Sequence, residues 1–139
     1  MLENYATQLR VRYDECDPMG FVHHSNFLKY FEIARTKLFR ADGGNYRDFE
    51  SSGLFVVVVR VDCRYHMPAR YDDELAVHVK VERLTEAKIE QSYRIERAGD
   101  LIVSANVTLA VIDRAGKLQR IPLSIRDPQS TNANVTGVN

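Results

Sequence analysis

Between Asp14 and His24 the chain gathers Asp14, Glu15, Cys16, Asp17, His23 and His24 within 11 residues. On composition alone this is a solvated acidic loop with two incidental histidines, since loops are normally polar. Three chemistries compete with that description. A metal site would draw on Asp14, Asp17 and both histidines, but adjacent His23 and His24 lack the one-turn separation of a helical ligand pair. Cys16 could serve as a nucleophile beside His23 or His24, although no third group orients the base and a cysteine is equally a small apolar side chain. The third makes Asp17 the working carboxylate. Asp17 precedes a helix whose first turn lies near His24 and Ser25, and unpaired N–H groups at a helix N-terminus carry about half a positive charge. A carboxylate facing those donors could attack a carbonyl or activate a water while they stabilise the developing charge. One such donor is worth roughly 10²–10³ in rate. The arrangement suits a thioester, whose thiolate leaves with little protonation.

The elements that must position these groups follow from periodicity. Residues 5–13 alternate, with Leu9, Val11 and Tyr13 on one side, which predicts a half-buried strand. Asp17-Pro18-Met19-Gly20 marks a turn within a long polar loop. Ser25 or Asn26 is the expected N-cap of a helix in which Phe27, Tyr30, Phe31, Ala34 and Leu38 recur at helical spacing. Lys29, Glu32, Arg35 and Lys37 take its solvent side, with Glu32 and Arg35 forming a solvated pair. Ala41-Asp42-Gly43-Gly44 ends it, and a short helical turn over residues 46–50 follows.

The period then changes to two, predicting strands over residues 54–67, 74–83, 88–97 and 101–113. The order β-α-β-β-β-β indicates an α+β domain, an antiparallel sheet with one helix across a face. Residues 54–59 are apolar at every position, so both faces of that segment need cover. One helix cannot supply it, and a homo-oligomer is expected. Residues 1–126 read as a single domain and residues 127–139 as a polar, flexible tail.

Composition narrows the function classes. The 139 residues are 45% hydrophobic and 27% charged, with 19 basic and 19 acidic side chains. That excludes disorder and leaves no basic excess of the kind that grips nucleic acid. No apolar run reaches the ~20 residues of a membrane-spanning helix, and residues 1–5 lack the features of a secretory signal. Cys16 and Cys63 follow no pairing pattern. A cytoplasmic protein with no membrane or nucleic-acid partner is the expectation.

The run Tyr13-Asp14-Glu15-Cys16-Asp17-Pro18-Met19-Gly20-Phe21-Val22-His23-His24-Ser25-Asn26-Phe27 resembles the signature of the 4-hydroxybenzoyl-CoA thioesterase family of hot-dog-fold acyl-CoA hydrolases. Pro68-Ala69-Arg70-Tyr71-Asp72-Asp73 and the Asp113…Gly116 turn are also similar, and the likeness spans about residues 5–125. The resemblance implies a hot-dog fold, a five-stranded antiparallel sheet wrapped around one long helix, in dimers that often pair into tetramers. It implies hydrolysis of an acyl- or aryl-CoA to the free acid and CoA, with no cofactor because CoA is part of the substrate. Asp17 matches the family's nucleophile or general base, His24 a histidine beside the thioester, and Tyr13 a tyrosine that orients substrate or water. The N–H near His24 would polarise the thioester carbonyl. CoA phosphates would lie at a subunit surface, with the pantetheine running past the strand that starts near residues 85–88, and Lys88, Arg64 and Arg120 as candidate contacts. His23, Phe27 and Cys16 depart from the commoner aromatic, tyrosine and threonine, which bears on the acyl group accepted. A noncatalytic acyl-CoA-binding module is the alternative.

Overall fold

A computed structural model describes residues 3–126, and the expected tail over residues 127–139 lies outside the described residues. The order is β1 (Asn4–Arg10), a 3₁₀ turn at Tyr13–Glu15, α1 (His24–Ala41), α2 (Tyr46–Ser51), β2 (Leu54–Tyr65), β3 (Glu74–Leu84), β4 (Ile89–Arg97), β5 (Asp100–Asp113), β6 (Leu118–Gln119) and α3 (Leu123–Arg126). The strands form one antiparallel sheet in the order β1-β3-β4-β5-β2, with β6 also paired to β5. Six strands thus replace the five expected. The sixth is two residues long, too short for any alternation to show. It is held by the preceding turn, where the Asp113 carboxylate accepts N–H bonds from Lys117 and Ala115, both 2.9 Å, and from Gln119 Nε2 at 2.8 Å. Those bonds, the Lys117 N–H foremost, keep Asp113 below the usual carboxylate range.

The 18 residues of α1 lie against β1 and β3, and Phe31 reaches the Tyr93 ring of β4 at 4.6 Å. Phe27, Tyr30, Phe31, Ala34 and Leu38 are all buried, as their spacing predicts. From the sheet, Leu75, Val77, Ile95, Leu109 and Val111 meet them. Burying each such side chain contributes roughly 1.5–3 kcal/mol. Bulges after Val58, Val81 and Ile95 sharpen the twist that curls the sheet around α1. The last of these breaks the simple alternation of β5, so Ile102 and Val103 are both buried.

Two boundaries beside the loop, and the Glu32–Arg35 pairing, differ from the sequence reading. The first strand ends at Arg10, because Arg12–Glu15 closes into a tight turn, and Tyr13 therefore leaves the sheet. The helix starts at His24 rather than Phe27, since His23 supplies the cap. Arg35 and Glu32 form no ion pair among the described residues, and Arg35 turns half-buried beneath the helix. Lys37 stays exposed on the solvent side as expected, and its Nζ donates to Thr7 Oγ1 at 2.9 Å.

The segment after β2 fastens the loop ahead of α1. Val22 N–H donates to the Ala69 carbonyl at 2.7 Å, and the Arg70 guanidinium sits 4.8 Å from the centre of the Phe21 ring. Asp73 Oδ2 accepts from Arg70 N–H at 2.8 Å and from Arg97 at 2.7 Å. Desolvation opposes its ionisation, yet these two partners outweigh it and hold the carboxyl low. Asp72 completes this turn with a φ of 70°.

Candidate active site

The loop over residues 14–23 folds back on itself. Cys16 and Val22 form an isolated antiparallel bridge, Asp17 N–H donates to the Phe21 carbonyl at 2.7 Å, and Gly20 N–H donates to the Asp17 carbonyl at 2.9 Å. The reversal needs a φ of 84° at Gly20, a conformation that glycine adopts without a Cβ clash. Asp17, half-buried at the bend, uses one carboxylate oxygen to hold it: Oδ1 accepts the N–H of Met19 at 2.9 Å and of Phe21 at 3.2 Å. Oδ2 accepts no hydrogen bond among the described residues.

Glu15 fixes that loop to the helix. Its main-chain oxygen accepts the His23 N–H at 2.9 Å and the Asn26 Nδ2 at 2.8 Å. Its carboxylate accepts the Arg12 N–H at 2.7 Å and the Tyr30 hydroxyl at 3.1 Å. Burial first, and then the Glu15 charge, push the Tyr30 phenol up, so it stays a proton donor.

At the start of α1 the donors are unequally used. The His23 ring accepts the Ser25 N–H at 3.2 Å, and the His23 carbonyl accepts the Asn26 N–H at 2.9 Å. The His24 N–H makes no hydrogen bond among the described residues. A free donor at a helix N-terminus and a carboxylate with one unclaimed oxygen therefore occupy the two ends of one short loop. That pair can stabilise an oxyanion and deliver a nucleophile or take up a proton.

His24 is exposed, its ring stacked on His23 at 4.2 Å and edge-on to Tyr65 at 6.4 Å. Tyr13 is 80% exposed, against the expectation of an inward side chain, and meets the edge of Tyr71 at 5.6 Å. Neither makes a hydrogen bond to Asp17. Cys16 Sγ faces the Arg12 carbonyl at 3.8 Å and no histidine, so the paired-thiol chemistry has no geometric support. Among the described residues, no three His, Cys, Asp or Glu side chains converge as a metal-binding group.

The three cations separate. Lys88, in the β3–β4 turn, pairs with Glu90 at 3.0 Å, and Arg120, just past β6, pairs with Glu86 of that turn at 3.8 Å. Arg64 lies opposite Ser104, five residues along β5 from the Leu109 that faces Ile89. That is about 17 Å along the sheet between main-chain positions. From the sequence, Tyr65 has no role, Glu15 is only one of the acidic loop residues and Asn26 is only a candidate helix cap. Only Asn26 carried a signal, as a polar residue on the otherwise apolar side of the helix.

Residues 11–129 match the family model described as the thioesterase-like superfamily. The chain belongs to that superfamily. Among its relatives, the acyl-CoA thioesterase YbgC of Haemophilus influenzae is 31% identical over 87% of this chain and 90% of its own length. A crystal structure of an Aquifex aeolicus protein superposes with a TM-score of 0.85 at 32% identity, covering 88% of this chain and 97% of that one. A DHNA-CoA thioesterase from Staphylococcus aureus gives 0.83 at 26% identity, covering 96% and 89%. The superfamily's hot-dog fold is the α+β architecture described above.

If Glu15 fastens the loop, Glu15→Ala removes two side-chain acceptors and leaves a buried hydroxyl without its partner. Equilibrium denaturation should show a loss of about 1–3 kcal/mol. Glu15→Gln, which keeps an acceptor oxygen, should lose less than half of that; equal losses would contradict the fastening role.

Proposed function

We propose that this protein hydrolyses an acyl- or aryl-CoA thioester to the free acid and CoA, with the Asp17 carboxylate as nucleophile or general base. The observation that carries this reading is the unclaimed Asp17 Oδ2 on the same loop as the unpaired His24 N–H. The thioester carbonyl oxygen accepts the His24 N–H, which stabilises the oxyanion as the carbonyl carbon becomes tetrahedral. Asp17 Oδ2 either adds to that carbon or takes a proton from a water that does. Collapse breaks the C–S bond and CoA leaves as a thiolate. On the covalent route, water then cleaves the acyl–aspartyl anhydride. His24 and Tyr13 border the acyl group and orient it. Thioester-hydrolysing relatives support the reaction class, and the proposed route calls on no metal or organic cofactor.

The site is completed by a second subunit. β2 is an edge strand with one unpaired side, and Val58, Val59, Val61, Tyr65 and Met67 stand exposed along and just beyond it, Val59 at 56%. An edge this long and apolar invites pairing. A second copy of the chain covers it, in a dimer or a tetramer built from dimers, and brings further cations within reach of the CoA phosphates. The reading is of a cytoplasmic enzyme. No helix among the described residues is long and apolar enough to cross a membrane.

The decisive experiment follows thiol release from a panel of acyl- and aryl-CoAs. Asp17→Asn keeps the acceptor oxygen that holds the turn, so its melting temperature should match the parent while kcat falls by about 10³ or more. Retention of more than a tenth of the activity would overturn the assignment of Asp17, and tight acyl-CoA binding without any thiol release by the parent would favour a binding module. Sedimentation equilibrium should return two or four protomers; a monomer at micromolar concentration contradicts the subunit pairing.

A further inference from the structure

Beneath the C-terminal half of α1 lie polar groups that the candidate active site does not use. Arg35, Tyr46 and Gln91 share a cavity of about 20 Å³ with the apolar Leu38, Ile89 and Leu109. That space accepts about one water-sized group, so a carboxylate enters only if the Phe39 ring moves aside. Arg35 makes no ion pair among the described residues, and its guanidinium donates to the Tyr93 hydroxyl. Gln91 lies on the helix-facing side of the sheet, in register with Val81 and Val107, and is 4% exposed. Its carboxamide oxygen accepts the Tyr93 hydroxyl, whereas its nitrogen has no partner among the described residues. Every fully buried side-chain nitrogen or oxygen among those residues is partnered, so the Gln91 nitrogen must border open space.

The electrostatics point one way. Burial, the largest effect, pushes both the Tyr46 and Tyr93 phenols up, Tyr93 to about 12, while the Arg35 charge pulls in the opposite direction. Both phenols are therefore neutral near pH 7, and Arg35 is the one charged side chain among the described residues that line the cavity. The described residues lining the cavity include the Arg35, Gln91 and Tyr46 donors and no carboxylate, while Glu32 and Glu50 act on the Tyr46 phenol from outside the lining. Such a donor set matches a carboxylate, whose two oxygens suit the guanidinium fork.

The cavity also has an apolar approach. Phe39 and Ile125 border both it and an open groove of about 620 Å³ between the end of α1, α2, the start of β2 and α3. Phe49 and Leu54 line that groove, and the Phe39 ring is stacked on Tyr46 at 4.8 Å. Asp42 and Asp48 also line it, so an anionic headgroup is disfavoured there and favoured only at Arg35. Arg35 is eleven residues beyond His24, about 16 Å along α1, with buried Phe27, Tyr30, Phe31 and Ala34 packed between.

We propose that this cavity and groove form a second ligand site, for a medium-chain aliphatic carboxylic acid. The carboxylate sits on Arg35, Gln91 and Tyr46, and the chain runs out past Phe39 and Ile125 over Phe49 and Leu54. Phe39 rotates off Tyr46 to admit the headgroup. The site stands independently of the proposed hydrolysis, although the acid released by that reaction belongs to the same chemical class.

Isothermal titration of the full chain with sodium decanoate below its micelle concentration tests the site without turnover. One decanoate per chain is expected, with 1-decanol at least tenfold weaker. Arg35→Met and Gln91→Leu should each weaken decanoate at least tenfold, and Tyr46→Phe three- to tenfold, while Arg35→Met keeps its thioester hydrolysis within twofold of the parent. Amide chemical-shift changes should centre on residues 39, 46, 91 and 125. No saturable binding, equal binding of decanol, undiminished binding by folded Gln91→Leu and Tyr46→Phe, or shifts confined to residues 13–24 would each overturn the proposal. A protein that binds decanoate this way yet releases no thiol from any CoA ester would retain this site and lose the thioesterase reading.

Discussion

Four donors converge on Glu15: the N–H groups of Arg12 and His23, the Asn26 amide and the Tyr30 hydroxyl. Two of them belong to α1, one precedes it and one closes the turn that ends β1's exit. The loop between β1 and α1 is therefore tied to the helix it introduces, and the direction of the Asp17 bend follows from that tie. Tyr30 and Asn26 are buried, so leaving Glu15's partners without acceptors is costly in a way that a solvent-exposed loop contact is not. Catalytic groups on a loop need this kind of support, because rate depends on holding reacting atoms within fractions of an ångström.

The division of labour within Asp17 has the same origin. One oxygen is spent on the bend and the other is left free, so the charge has a fixed address without being neutralised by a cation. At the other end of the loop, His23 caps α1 with its own ring and carbonyl, and by taking Ser25 and Asn26 it leaves the His24 N–H as the free donor. The histidine pair that invites a metal reading is thus built for capping and stacking.

Much of this fold was legible from periodicity. The apolar stripe of α1 and the alternation of β3, β4 and most of β5 have a physical cause, one buried face, that writes itself into the residue order. Where the reading slipped, the deciding interaction was not periodic. Tyr13 fits a strand by alternation, but the Glu15 carboxylate draws the Arg12 N–H into a turn first. Histidine is not a favoured capping residue, so His23 yielded to Ser25 and Asn26 on propensity. Arg35 sits at a position that charge alone assigns to solvent, and its hydrogen bond to the buried Tyr93 hydroxyl turns it inward. The site was legible in part: Asp17 and the helix start stand on one loop as expected, whereas Glu15 and Tyr65 act through contacts with no sequence spacing to announce them.

The claim on which the functional account rests is the relation between the side chain at position 17 and the amide of His24. A crystal structure of the Asp17→Asn protein holding an intact acyl-CoA measures that relation directly. The account predicts the thioester carbonyl oxygen about 2.7–3.1 Å from the His24 nitrogen, with the carbonyl carbon facing the side chain at position 17. An acyl-CoA whose carbonyl points away from the His24 amide, or lies across the outer face of the sheet, would contradict it.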